Sequence, residues 1–285
     1  MSMPVLPIVR TVADLRGQVA AWRRAGLTIG LVPTMGALHA GHLSLVRLAA
    51  GQADKVVASL FVNPTQFAPN EDLEAYPRDE AGDARLLAET GCHLLYAPSV
   101  EAMYGPGFST RVTVSGVSEP LDGQARPHHF GGVATVVTKL LTQCGPDVAV
   151  FGEKDYQQLQ VIRRLVADLD LPVKVLGGPI VRAPSGLALS SRNAYLSQTE
   201  RAVAERLNLI LAAAVAALRG GAAIDSAEAE GLAALKAAGF ERVDYFEVRD
   251  AGDLSRLASA TVSRPARILA AAVIGKTRLI DNMAV

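Results

Sequence analysis

The fold class expected for this chain is α/β. A parallel sheet with helices on both faces fills the first two-thirds, and a smaller α+β region follows. Apolar runs of strand length alternate with amphipathic stretches from Val12 to Gly177, the pattern of a parallel sheet wrapped by helices. One apolar run, Leu27 to Val32, passes straight into a tight glycine turn and then a helical stretch. After about Ser185 the pattern changes to Ala- and Leu-rich helices followed by three strands on short connections.

In chain order, a helix is expected over Val12–Ala25, a buried strand over Thr28–Val32 and a helix over His42–Ala50. The next strand, Lys55–Phe61, stops at Pro64, which cannot donate to a ladder and biases Asn63 away from helix. Helix Asp79–Thr90, strand Leu94–Ala97, helix Val133–Cys144 and strand Val148–Phe151 continue the alternation. Gly152 ends that last strand, and helix Gln157–Asp168 and strand Val173–Gly177 complete the series. Beyond it, one long helix over Gln198–Arg219 and a second over Ser226–Ala238 lead into strands Val243–Arg249, Ala266–Val273 and Leu279–Ala284. The domain boundary is placed near Val181–Ser185, giving units 1–182 and 183–285.

With 285 residues the chain can form one large or two modest domains. Its net charge is zero and no Lys/Arg run marks a nucleic-acid track, so no nucleic-acid partner is expected. Cys92 and Cys144, the only cysteines, form neither a disulfide framework nor a zinc knuckle and read as small buried residues. Pro4 and Pro7 interrupt any apolar leader, and no stretch reaches membrane-spanning length. Leu209 to Leu218 is apolar but bracketed by polar residues. A cytoplasmic protein with no membrane partner is expected.

The most informative segment is Pro33 to His42, PTMGALHAGH. Gly36 lets the backbone approach a ligand, and the N–H groups at the following helix start favour anionic oxygens. His39 and His42, three apart, are expected on one helical face, with Gly41 keeping that face uncluttered. This is neither the G-x-G-x-x-G nor the P-loop pattern, and the spacing does not fit the zinc-protease pair.

Four further segments follow strand ends or open helices. Such sheets bind ligands beyond the carboxyl ends of their strands, at a switch point, so these segments can converge there. In SLFVNPTQF, Asn63 and Gln66 sit at the sheet mouth. Gln66 can hold a hydroxyl and a carboxylate together, or serve as a turn amide. In FGEKDYQQ, Lys154 suits a triphosphate and Asp155 a helix cap or a ribose hydroxyl. Of Gln157 and Gln158 at most one can face the crevice, and a solvated charge cluster is the alternative. In SGLALSSRN, two hydroxyls and a guanidinium form a cradle for phosphate, or a linker with an N-cap serine. RPHHFGGV is a second glycine-rich helix opening with Arg126, His128 and His129 before it, for an acid group or for a structural turn.

Together, in this order and spacing, PTMGALHAGH, SLFVNPTQF, RPHHFGGV, FGEKDYQQL, SGLALSSRN and the ending RLIDN resemble the pantoate–β-alanine ligase family. That family lies within the nucleotidyltransferases that carry a His-x-Gly-His signature. The resemblance spans essentially the whole chain. It implies a Rossmann-like N-terminal domain, with a smaller C-terminal domain closing over the ATP site. It implies condensation of pantoate with β-alanine through a pantoyl-adenylate, with ATP as substrate, Mg²⁺, a cytoplasmic location and a homodimer. Carried over by residue, Met35, Gly36, Ala37, Leu38, His39, Ala40, Gly41 and His42 would bind ATP. So would Gly152, Glu153, Lys154, Asp155, Val181, Leu189, Ser190, Ser191 and Arg192. Gln66 and Gln158 would hold pantoate, and Gln66 would also contact β-alanine. His42, His39, Lys154 and Arg192 would be catalytic, supplying positive charge or N–H donors to the departing pyrophosphate, and no protein ligand to a metal is assigned. Thr65, Ala40 and Ser185 depart from the common methionine, acidic residue and aspartate, which bears on kinetics rather than reaction type. Two rivals are a transferase that makes a dinucleotide and retains NMP on its product, and a regulator that binds ATP without splitting it.

Overall fold

The computed structural model describes residues 6–68, 71 and 73–285. Pro4 therefore lies outside the described residues. The first half runs β1 (Ile8–Val9), α1 (Val12–Arg24), β2 (Ile29–Thr34), α2 (Ala40–Ala50), β3 (Lys55–Leu60), α3 (Glu80–Glu89), β4 (Leu94–Tyr96) and α4 (Val100–Met103). It continues with α5 (Asp122–Ala125), α6 (His129–Cys144), β5 (Val148–Gly152), α7 (Tyr156–Asp168) and β6 (Lys174–Gly178). Then come α8 (Gln198–Ala204), α9 (Arg206–Arg219), α10 (Ile224–Ala238), β7 (Arg242–Asp250), β8 (Ala266–Ile274) and β9 (Thr277–Ala284). Short 3₁₀ turns at Pro64–Gln66, Glu153–Asp155 and Ser191–Tyr195 follow β3, β5 and the connection after β6.

The six strands β1 to β6 form one parallel sheet in the order β1-β4-β3-β2-β5-β6. Alternate residues of each strand feed opposite faces, as the pleat requires. Ile29, Leu31 and Val57 pack with Leu15 and Val19 of α1, Val133 of α6 and Leu159 of α7. Val32, Val56 and Ala58 pack on the other face with Val46 of α2 and Leu87 of α3. The chain runs outward from β2 to β3 and β4, then returns to place β5 on β2's other side. The topological switch therefore lies between β2 and β5, where such sheets open a crevice. The strands β7, β8 and β9 form a separate antiparallel sheet. It packs on α9 and α10 in a core made wholly of residues from Ala183 onward. A smaller cluster joins the two parts: Phe130 and Tyr156 meet Tyr245, Leu269 and Ala271.

The architecture matches the sequence expectation, with several local differences, among them the short helices α4 and α5, which are not expected from the sequence. The helix expected over Gln198–Arg219 is two, separated by Glu205, a turn residue at φ −65° and ψ −19° that still donates to the Arg201 carbonyl at 3.0 Å. α6 begins at His129 rather than Val133, so the glycine-rich opening is its first turn. A Cβ on Gly132 would stand 2.5 Å from the Thr65 carbonyl, which explains the glycine by close packing. α2 begins before His42, at Ala40. The edge strand β1 has only two residues and carries no periodicity to read. Cys92 and Cys144 are buried free thiols, and burial pushes the Cys144 thiol up to about 12.

Candidate active site

The turn after β2 holds two consecutive left-handed residues, Gly36 at φ 86° and Ala37 at φ 52°. The second is uncommon for a residue with a Cβ and needs outside support. Asp83 of α3 supplies it: its carboxylate accepts the N–H of Ala37 at 2.9 Å and of Leu38 at 2.8 Å. From the opposite side the Ser191 hydroxyl donates to the Ala37 carbonyl at 2.9 Å. These two turn amides, which precede the start of α2, are thus committed within the protein. Burial raises the Asp83 pKa. Sequence reasoning misses Asp83, because nothing local links it to a turn 46 positions away.

His39 and His42 are not both helical. His39 is the N-cap of α2, in extended conformation, and His42 is its third residue. Their side chains make a reciprocal cap: Nδ1 of His39 accepts the Gly41 N–H at 3.1 Å, and Nδ1 of His42 accepts the His39 N–H at 3.3 Å. The rings still meet, with centroids 4.1 Å apart. Gly41 serves this cap, because a Cβ there would lie 2.8 Å from the His39 ring. Burial, then the charge of Lys154, lowers His39 to about 4. Burial, then His39 and Lys154, lowers His42 to about 3. Both rings are therefore neutral near pH 7. With each Nδ1 occupied as an acceptor, the remaining proton sits on Nε2. The pair offers two neutral N–H donors and neither a cation nor a free basic nitrogen.

A cavity of about 1150 Å³ opens above the switch point. Its wall includes Met35, His39, Gly41 and His42 beyond β2, and Gly152, Lys154 and Asp155 beyond β5. Val181, Leu189, Ser190, Ser191 and Arg192 close it from the connection after β6. The structure thus brings the separated motifs into one chamber. Gly36, Ala37, Leu38, Ala40 and Glu153 are not among its lining residues. The first three form the clamped turn, and Glu153 turns instead toward Arg267 at 3.4 Å. Asp155 occupies the N-cap position of α7 but makes no side-chain cap bond, so the capping alternative does not hold. Ser190 does cap its short turn, accepting the Arg192 N–H at 3.3 Å, while Arg192 lies over the Tyr76 ring.

The opposite wall is built on Gln66. Asn63 is the turn amide: its Oδ1 accepts the Thr65 N–H, and its Nδ2 donates to the Gln66 Oε1 at 3.0 Å. This turns the Gln66 amide nitrogen toward the Met35 sulfur at 3.2 Å. Behind it, His129 Nδ1 lies 3.1 Å from the Gln66 carbonyl, which can only accept, so that nitrogen carries the proton. Burial, then Arg126, lowers His129 to about 4. Arg126 pairs with Glu71 at 2.6 Å. Of the two glutamines opening α7, Gln157 is spent on structure: it donates to the Val117 and Pro120 carbonyls and accepts the Asp122 N–H. Gln158 lines the cavity and makes no side-chain hydrogen bond among the described residues.

Comparison with known proteins agrees with this arrangement. The sequence model of the family described as pantoate-beta-alanine ligase matches residues 7–284. The chain is 62% identical to the pantothenate synthetase of Caulobacter vibrioides across 100% of both chains. It is 61% identical to that of Rhodospirillum rubrum, covering 99% of this chain and 100% of the relative. The crystal structure of pantothenate synthetase from Thermus thermophilus superposes with a TM-score of 0.90 at 46% identity, covering 98% of this chain and 99% of that one. The Francisella tularensis pantoate-beta-alanine ligase, solved with beta-gamma ATP and beta-alanine, gives 0.82 at 35% identity, covering 98% and 97%. By family match, by identity along its whole length and by fold, the chain belongs to the pantoate–β-alanine ligase family.

Proposed function

We propose that this chain condenses (R)-pantoate with β-alanine to give pantothenate, AMP and pyrophosphate, through a pantoyl-adenylate, as a step toward coenzyme A. The observation that carries the reading is the chamber at the β2/β5 switch, where phosphate-suited groups face the glutamine wall.

In the first step a pantoate carboxylate oxygen attacks the α-phosphorus of ATP and the bond to pyrophosphate breaks. We assign the nucleotide to Met35, His39, Gly41, His42, Gly152, Lys154, Asp155, Val181, Leu189, Ser190, Ser191 and Arg192, all on the cavity wall. Lys154 and Arg192 bring positive charge to the leaving pyrophosphate, and the two imidazoles bring neutral Nε2–H donors, already oriented by the cap. We give Gln66 and Gln158 to pantoate, and Gln66 also to β-alanine. In the second step the neutral amine of β-alanine attacks the acyl carbonyl and AMP leaves. His39 and His42 are not bases for this step, because their acceptor nitrogens are engaged.

Mg²⁺ would come with ATP. Among the described residues no three His, Cys, Asp or Glu gather as a cage, and a magnesium ion held mainly by phosphate oxygens and water needs none. Asp155 is the carboxylate beside Lys154 on that wall. The ion would neutralise phosphate charge. We divide the chain into units 1–182 and 183–285, the second closing over ATP, in keeping with a hydrophobic core confined to Ala183 onward. A homodimer and a cytoplasmic location are carried from the family, and sedimentation at micromolar concentration tests the first.

The decisive experiment is pyrophosphate exchange. Labelled pyrophosphate should enter ATP with enzyme, Mg²⁺ and pantoate alone, and β-alanine should drain the intermediate and release AMP. Exchange that requires β-alanine but not pantoate would sink the acyl-adenylate.

A further inference from the structure

The ending RLIDN is not absorbed by the roles above, yet Asn282 lines the cavity and is only 2% exposed. Its Nδ2 donates to the carbonyls of Glu153 at 3.0 Å and Lys154 at 2.9 Å. Two acceptors at that nitrogen fix the amide orientation. The opposite end, Oδ1, is buried without a partner among the described residues. The Glu153–Asp155 turn has no side-chain cap of its own. Its preceding residue is Gly152, and Asp155 does not cap α7. The neighbouring Asp281 holds Arg182 bidentately at 2.6 and 2.9 Å, and Arg182 reaches the Gly186 carbonyl at 3.0 Å. One dipeptide of β9 therefore touches both segments that bear phosphate-suited groups, the turn of Lys154 and the loop leading to Ser190–Arg192.

We infer that Asn282 is a positioning residue for Lys154. It sets the turn from which the lysine projects by holding the carbonyls of Glu153 and Lys154. The inference rests on the nucleotide role proposed for Lys154.

A double-mutant cycle tests it, read both as pantoate-dependent pyrophosphate exchange and as ATP affinity by calorimetry. Asn282→Ala should lower the exchange rate and the ATP affinity by about tenfold or more while moving the KM for pantoate less than about twofold. In a Lys154→Ala background the same change should cost less than about twofold on both readouts, because its route is already removed. Asn282→Asp, which keeps the shape but loses both donors, should behave alike and serves if the alanine variant does not fold. Equal losses in both backgrounds, or unchanged exchange in a folded Asn282→Ala, would overturn the inference. If the unaltered chain shows no pantoate-dependent exchange, the proposed reaction fails instead, and the affinity cycle still decides the role of Asn282.

Discussion

At the scale of single residues, the site economises on charge. His39 and His42 are held neutral by burial and by the nearby charge of Lys154, so Lys154 carries much of the work of meeting the leaving pyrophosphate. We expect His42→Ala and Lys154→Ala each to lower kcat by about 10²–10³-fold with the fold intact. Circular dichroism and steady-state rates on purified variants check this, and near-normal turnover in a folded variant would remove the assigned role. The two should differ in detail. His42→Ala also deletes the acceptor for the His39 N–H, the second bond of the reciprocal cap, and should therefore cost stability of about 0.5–2 kcal/mol, the range of a lost capping bond. Gln66→Ala should weaken pantoate rather than ATP, by about 1–3 kcal/mol in calorimetric titrations, since its amide is already aimed by Asn63. Equal losses for both ligands would contradict that placement.

At the scale of elements, α6 meets the 3₁₀ turn at Pro64–Gln66 through one glycine. Gly132→Ala would put a Cβ 2.5 Å from backbone, where no side chain can yield. We expect destabilisation of about 1–3 kcal/mol in urea titrations and weaker pantoate binding, because the turn carries Gln66. Gly131→Ala, with nothing within 4 Å of the new Cβ, is the control. Elements of this kind are legible in the sequence where a period is long enough to read. The central strands and α1, α3 and α7 fall within two residues of expectation because their apolar runs and helical stripes are regular. The start of α6 is misplaced because Gly131 and Gly132 read as a turn by propensity, and only a packing partner 67 residues away makes a helical glycine necessary at 132. The chamber itself is legible in outline, since motifs at strand ends must converge at the switch. The supports are not, because Asp83 and Asn282 act over 45 and 128 positions of sequence that no local pattern spans.

At the scale of the whole molecule, the buried imidazoles tie stability to pH. His42 and His129 have folded values of about 3 and about 4, below the unfolded value near 6.5. As pH falls, the unfolded chain takes up protons first. The stability these groups allow is full above about pH 6.5 and is lost as pH descends toward their folded values, at up to about 1.4 kcal/mol per pH unit for each. His39 adds less, being partly exposed. Urea midpoints should be level between about pH 7 and 8 and should fall below about 6.5. A flat profile down to about pH 5 would contradict the neutral, buried state of these rings.

The β2–β5 pairing also has a kinetic meaning. Gly30 lies against Val148 and Leu31 against Ala149, partners 118 residues apart, and the chamber exists only once that ladder has closed. So distant a closure is entropically late in folding, after local helices have formed. During refolding from urea, the far-ultraviolet helix signal should therefore return before the capacity to bind ATP. Adding the nucleotide should stabilise the finished protein without speeding its formation, because no binding surface yet exists at the step that limits the rate.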